Sequence, residues 1–477
     1  MVKKGFPAIH FYDQDFVDTY ERTWAWLQDF WKKGTKANGF ESRYFNYPEN
    51  KTINQFESIL STFFLVYSNR SYTATPQLDN FYRKQEPSGA IRGEYGEKDG
   101  KPVLTRENPE GVQPPLFSWA EYNIYHKVGN KKRLRDVVGT LEKYFTWLEE
   151  TFRKENGLYS VPIAATMMEN SPREHLYYPI DFNTQQAINA LYMSELGDIL
   201  NDKEIGFKYK RKYFSLKTRI NSLMWNEEDG YYYDLDREGQ QIKVKTIASF
   251  WTLLAEIPND DRANRLINHL KDPLSFGLEN PFPTLAANDP HFRDKGMGFR
   301  GSVYPCFTFM VIKGLEKYAR YEFARECAIR HLYYILDTLN PENKEKGEKG
   351  NLYEAYLPRK EGPAQWPKRE GYPRELFLSY AALATITLMI ENVVGLYISL
   401  PRKTVDWIIP TLEIMGIEDL SLKRNMITIL SNKSGRGWEI RLESEKLYYF
   451  TINILGEKKK KTLPIPSGKC SMLIDKL

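Results

Sequence analysis

Through most of the first 400 residues, apolar and aromatic side chains recur every three to four positions, the spacing that lines one face of a helix. The clearest case covers 131–154, where Leu134, Val138, Leu141, Phe145, Leu148 and Phe152 form one stripe. Phe16, Tyr20, Trp24, Leu27 and Phe30 repeat the pattern over 13–31. Equivalent runs predict helices over 53–69, 75–84, 181–200, 207–225, 245–256, 260–270, 304–318, 321–339 and 374–397. Pro114 and Pro115 suit the start of another, because a proline's missing amide costs nothing in a first helical turn. Asn259 is placed to cap the 260–270 helix. None of these helices can bury its stripe alone, so the run predicts one body of sequential helical hairpins over 1–398.

The period changes near Leu400. The segments 425–430, 438–442 and 447–454 alternate apolar and polar residues between turn-like SGRG, ESEK and GEKKKK stretches, which predicts a small antiparallel, β-sandwich-like appendage over 399–477. The Lys458–Lys461 run reads as a solvated turn between two of its strands.

Composition narrows the function classes. Sixty-seven basic and 62 acidic residues leave a net charge of only +5, with no long basic patch, so nucleic acid is not an expected partner. No stretch approaches the roughly 18 apolar residues of a membrane span, and the N-terminus lacks the apolar run of a signal peptide, so no membrane partner is expected. Cys306, Cys327 and Cys470 are odd in number and widely spaced, which fits a reducing compartment and predicts a cytoplasmic protein. No His/Asp/Glu cluster has metal-ligand spacing, so neither a metal nor a cofactor is expected, and the acidic turn 226–236 reads as solvated rather than calcium-binding. Aromatic residues make up 14% of the chain; such a surplus serves either packing or stacking on sugar faces.

Long loops rich in glycine and proline fall at 89–111, 271–298 and 341–371, and loops of this length usually carry function. A shorter loop, ATMMENSPR at 165–173, joins two helices and holds Glu169, the sole carboxylate between Glu155 and Glu174. Glycosidic cleavage needs two carboxylic acids across one pocket, one to protonate the leaving oxygen and one to activate water or attack carbon. A chain with 62 acids offers many pairs, and spacing alone chooses none.

Five segments, in order, choose one by resemblance. NQFESILSTFF at Asn54, QPPLFSWA at Gln113, MMENSPR at Met167, GFRGSVYP at Gly298 and NLYEAY at Asn351 resemble the inverting glycosidases of glycoside hydrolase family 63 and their trehalase relatives, including bacterial mannosylglycerate-hydrolase-like members. MWNEEDGYYYDLD at Met224 is similar to segments of the same sugar-processing proteins. The resemblance spans about 50–400 and implies an (α/α)6 barrel, a six-hairpin glycosidase fold. It implies Glu169 as general acid and Glu354 as general base. It further implies Phe56, Glu57, Gln113, Trp119, Asn170, Arg173, Arg300, Gly301 and Tyr304 as substrate-binding residues, and Trp366, in the loop after Glu354, is placed to join them as a ring stacking on a sugar. A general acid at Glu169 must hold its proton, through desolvation or a neighbouring acid, for which Glu57 is the first candidate. The implied reaction is hydrolysis, with inversion, of an α-glucoside or α-mannoside in a small carbohydrate, a disaccharide or a glycosyl-glycerate.

The chain departs from the family's pattern at informative points. Glutamate replaces aspartate at Glu57 and Glu169, phenylalanine and tyrosine replace tryptophan at Phe56 and Tyr304, and Ser302 stands for a proline. Trp119 also lies within a helical stripe, where core packing competes with a binding role, and His175 and His291 suit surface or capping positions. Two other readings share the architecture: a carbohydrate-binding pseudoenzyme, and a sugar epimerase or isomerase. The second chemistry generally uses paired histidines, and the six histidines here show no such pairing.

Overall fold

The computed structural model describes residues 5–68, 71–340, 350–423 and 425–474. Twelve α-helices occur among the described residues, and most of them fall into two kinds of burial. In α2 (Gln55–Leu65) every residue is buried. In α6 (Ile180–Leu200), α8 (Trp251–Leu254), α10 (Pro305–Lys317) and α12 (Leu378–Ala382) burial likewise reaches nearly all round. Helices such as α5 (Lys131–Phe152), α7 (Lys203–Leu223), α9 (Asp260–Lys271) and α11 (Tyr321–Leu339) bury a stripe and leave the other face to water. A helix hydrophobic all round must lie inside, and an amphipathic one outside. The chain therefore builds an inner layer covered by an outer one, α6 packing along α7 and α10 along α11. The remaining helices are α1 (Gln14–Trp26), α3 (Pro76–Tyr82) and α4 (Phe117–Val128).

Caps fix several helix starts. Asn54, Asn130, Asp202 and Asn259 each accept an amide hydrogen of the first turn. α4 ends at Gly129, whose φ of 72° is left-handed, as a helix-terminating glycine commonly is.

The expected helix over 374–397 is shorter and different. α12 begins at Leu378 and widens into π-helical turns over Leu383–Val393, while Tyr397 belongs to a strand, Leu396–Ser399. Pro373 disfavours helix in the residue before it, and the segment 372–377 runs irregularly, which leaves Arg374 outside the helix. Part of the long loop expected at 341–371, residues 341–349, lies outside the described residues.

The C-terminal strands form two sheets. One is ordered Ala8–His10, Met415–Leu422, Asn425–Ser434, Gly437–Ser444, Gly468–Ile474, so an N-terminal strand that the periodicity missed closes one edge. The other is ordered Leu396–Ser399, Thr404–Ile409, Tyr448–Ile454, Lys459–Ile465. The expectation of a purely antiparallel appendage fails at one pair: Thr404–Ile409 runs parallel to Tyr448–Ile454. Those two strands are separated by a passage through the first sheet, which supplies the long crossover that parallel pairing needs. Lys459, Lys460 and Lys461 lie in an edge strand rather than a turn; lysines there discourage edge-to-edge association. No helix among the described residues is long and apolar enough to cross a membrane.

Candidate active site

A cavity of about 250 Å3 is lined by Glu57, Glu169, Tyr304 and Glu354, which the sequence had singled out from four distant segments. Phe299, Phe307 and Tyr380 supply apolar walls, and Asn50, Thr52, Asn54 and Glu94 form a polar rim. The volume suits a small ligand, just below the range of drug-sized sites.

Each acid reaches the cavity by its own device. Glu57 sits in the first turn of α2, where its amide donates to the Asn54 side chain at 3.1 Å. Glu169 follows a short helical turn, Ile163–Thr166, that ends at Met167 with φ of 62°. A non-glycine residue held left-handed is strained and occurs preferentially at functional sites. Glu354 lies in an extended stretch pinned to 372–375: its amide donates to Arg374 O at 3.0 Å, and Tyr353 bridges to Glu375.

Arg374 holds this constellation together. Its Nη2 donates to Glu57 Oε1 at 3.0 Å and to Glu354 Oε1 at 2.9 Å, while its Nε and its amide donate to Glu354 Oε2 at 3.0 and 3.2 Å. Burial alone would lower the guanidinium's pKa, but the two carboxylates outweigh it and keep the group charged. Burial raises the Glu57 carboxyl, with Arg374 pulling the other way and Glu354 reinforcing the rise. Asn50 donates to the second Glu57 oxygen at 3.2 Å. Glu57 thus shares the cavity with Glu169, the neighbourhood expected of it, and its own hydrogen bonds go to Asn50 and Arg374.

The two acids implied as catalytic differ in setting. Glu354 is 8% exposed and tied on both oxygens by Arg374. Glu169 is exposed and makes no side-chain hydrogen bond among the described residues, so its carboxyl is free to meet a ligand. Tyr304, buried beside them, donates to or accepts from Tyr372 at 3.0 Å, and burial pushes its phenol pKa well up, so it acts as a neutral hydrogen-bonding group.

Several implied binding residues fall elsewhere. Arg173 is fully buried and clamped between Asp181 and Asp234 at 2.8 and 2.7 Å, so it is structural. Trp119 packs on Phe63, Trp251 and Phe309 and faces a separate cavity with Lys127, Lys313 and Glu391. Phe56 packs on Phe307 and Tyr380 behind the cavity wall, its amide held by the Gln113 side chain at 3.1 Å. Asn170 and Arg300 join two site loops: Asn170 donates to Met297 O at 2.8 Å, and Arg300 Nε donates to Asn170 O at 3.1 Å. Gly301 turns where a Cβ would strike Arg293 O and Phe292. Trp366 presses on Gly298 and lies edge-on to Tyr372 at 5.7 Å, so it backs the Met297–Gly301 loop rather than lining the cavity. His175 is exposed, and His291 pairs with Asp289 at 3.2 Å. No histidine lines the cavity, and no group of three or more metal-binding side chains occurs among the described residues.

Sequence reasoning missed Arg374 because helical periodicity assigned it to a helix. Arg369, stacked over Trp366 and Tyr372 at the cavity's edge, was missed as one charge in a charged loop.

A family model described as the mannosylglycerate hydrolase MGH1-like glycoside hydrolase domain matches residues 70–365. A second, the trehalase C-terminal domain, matches residues 395–477. An uncharacterized protein of Borreliella burgdorferi is 53% identical over 484 positions, covering 100% of both chains. Among solved structures, the GH63 mannosylglycerate hydrolase of Thermus thermophilus in complex with glucose aligns with a TM-score of 0.59 at 19% identity, over 77% of this chain and 99% of that one. A GH78 family rhamnosidase of Bacillus sp. GL1 gives 0.67 at 13% identity, over 93% of this chain and 42% of that one. A neutral trehalase of Saccharomyces cerevisiae gives 0.56 at 12% identity, over 75% and 76%.

Proposed function

The chain belongs to the mannosylglycerate hydrolase MGH1-like glycoside hydrolases and is a glycosidase, and on that premise we propose that it hydrolyses the α-glycosidic bond of a small glucoside or mannoside with inversion. The substrate is a disaccharide or a glycosyl-glycerate. The helical layers form an (α/α)6 barrel over 1–398, with 399–477 as an appendage to which Ala8–His10 adds a strand.

Glu169 is the general acid and Glu354 the general base. The observation that carries this reading is a single small cavity holding one unpaired, ligand-accessible carboxyl and one buried carboxylate fixed by an arginine. In the reaction a water oxygen attacks the anomeric carbon as Glu354 accepts the water's proton. The bond to the leaving oxygen breaks as Glu169 donates its own proton to that oxygen. Exchange with solvent then returns a proton to Glu169 and removes one from Glu354. Arg374 keeps Glu354 oriented through its hydrogen bonds to both carboxylate oxygens, and the approach of substrate excludes the water that screens Glu169. Inversion needs a water between acid and base carbons, hence a carboxyl separation of about 6.5–9.5 Å.

The test compares leaving groups. Glu169→Gln loses roughly 100- to 10,000-fold on a natural disaccharide but retains most activity on a dinitrophenyl glycoside, whose leaving group needs no proton. Glu354→Gln loses activity on both. Full activity of Glu169→Gln on the disaccharide would remove the acid assignment.

A further inference from the structure

The outer surface made by α5 and α7 presents a combination of groups that hydrolysis does not use. α7 buries Ile205, Tyr209, Tyr213, Leu216 and Ile220 along one side. On the opposite side Phe207 and Phe214 stand 66% and 51% exposed. They are seven residues apart, two helical turns, and so share a face. Arg211, itself exposed, lies four residues after one and three before the other, between the two rings. Scattered single hydrophobics on a surface need no explanation; two large rings set on either side of an arginine on one helix face do.

A cleft of about 440 Å3 opens beside this row, between the C-terminal end of α5 and the flank of α7. Arg153, Lys208, Arg211 and Lys212 line it, against one acid, Glu149. Lys208 pairs with Glu142 at 2.9 Å and Lys212 with Glu149 at 2.6 Å, whereas Arg153 and Arg211 make no ion pair among the described residues. Behind Gly157 in the cleft wall, a Cβ would meet the Arg219 guanidinium, whose Nε is buried without a hydrogen-bond partner. Arg219 lies behind the lining and donates Nη1 to Asn156 O, so the donors open to the cleft are those of Arg153 and Arg211, and two unpaired guanidiniums on one cleft recognise a phosphate group.

We propose that this face docks on an anionic phospholipid surface, with a headgroup phosphate taken by Arg153 and Arg211 while Phe207 and Phe214 enter the interface. Charge and shape argue for this occupant together. A free phosphate accounts for the arginines but leaves the rings unexplained. A second copy of the chain would set Arg211 and Lys210 against their own counterparts in a symmetric contact. Protruding aromatics within a cationic helix face are the pattern of an interfacial helix.

The test uses the full chain in co-sedimentation with phosphatidylcholine vesicles that contain about a third phosphatidylglycerol, alongside phosphatidylcholine alone, because anionic lipid is what the basic side chains sense. Binding is expected to the anionic vesicles only, and to disappear at about 0.5 M salt, where the Debye length is only a few ångströms. Arg153→Gln with Arg211→Gln should weaken it roughly 30-fold, given the attraction of each basic residue to such a surface. Phe207→Ser with Phe214→Ser should weaken it about tenfold, with hydrolysis unchanged in both pairs. These four side chains are exposed, so the variants are expected to fold, which circular dichroism verifies. Equal binding to neutral vesicles, or unaltered binding by either pair, would overturn the proposal. So would inorganic phosphate binding by calorimetry, lost in the arginine pair, without any vesicle binding; that result would assign the cleft to free phosphate. A dimer dissociated by the phenylalanine pair would likewise overturn it in favour of contact between copies.

Discussion

Arg374 is the side chain whose removal should change the pH dependence of the enzyme rather than merely its rate. It spans Glu57 and Glu354 with one nitrogen, at 3.0 and 2.9 Å. Two unit charges about 4 Å apart interact by about 4 kcal/mol at the effective dielectric of a protein surface. The Arg374 side chain is 28% exposed, so solvent screening cuts that to about 2 kcal/mol. In Arg374→Gln the two carboxylates face each other uncompensated and retain one proton between them to higher pH. Burial already raises Glu57 against the pull of the arginine, so losing that pull adds to the rise. The base must be ionised to accept water's proton, so activity is present above the acid limb and lost as pH falls through it. The acid limb of kcat/KM should therefore move upward, read from initial rates between pH 4 and pH 9. Arg374→Lys keeps the charge and should restore most of the limb's position, though it cannot make the same forked contact. A variant that loses activity evenly at all pH values, with the limb unmoved, would refute this reasoning.

Other changes should act on stability. Arg173→Met leaves Asp181 and Asp234 buried and unpaired and should destabilise the fold by about 3–5 kcal/mol, measured by denaturant unfolding, with KM of the folded fraction unchanged; a raised KM with intact stability would return Arg173 to the binding site. Glu391, buried, is held from its ordinary 4.5 down to about 2, burial opposing and Lys127 and Lys313 prevailing. A depressed acid stabilises above its unfolded pKa, so this contribution, of order 3 kcal/mol, should fade as pH falls from about 4.5 to about 2. Glu391→Gln should flatten that part of the stability profile, and an unchanged slope would show that the network contributes nothing there.

Much of the architecture was readable because inner and outer helices carry different burial patterns, and helical spacing registers both. The stripe of α5 and the cap at Asn259 appear where periodicity placed them. Short strands and segments organised by tertiary contacts were not readable. Ala8–His10 is three residues long and gains meaning only beside Met415–Leu422. Arg374 looked like helix because its neighbours are helix formers, yet two acids 317 and 20 residues away decide its position. Motif resemblance brought Glu57, Glu169, Tyr304 and Glu354 to one cavity. It misdirected at Arg173 and Trp119, since a motif also holds the residues that support its loop, and sequence does not separate support from contact. MWNEEDGYYYDLD is of that kind: its Asp234 receives Arg173 and braces the Glu169 loop from behind.

The central claim is that Glu354 directs a water to the face of the anomeric carbon opposite the bond that Glu169 helps to break. Proton NMR of the sugar released in the first minutes from an α-linked substrate, before mutarotation, tests it directly. The account predicts that the β anomer appears first and the α anomer grows in only later. An α anomer formed first would mean a covalent intermediate on a carboxylate about 5 Å from the acid, and would contradict the assignment of Glu354 as a base acting through water.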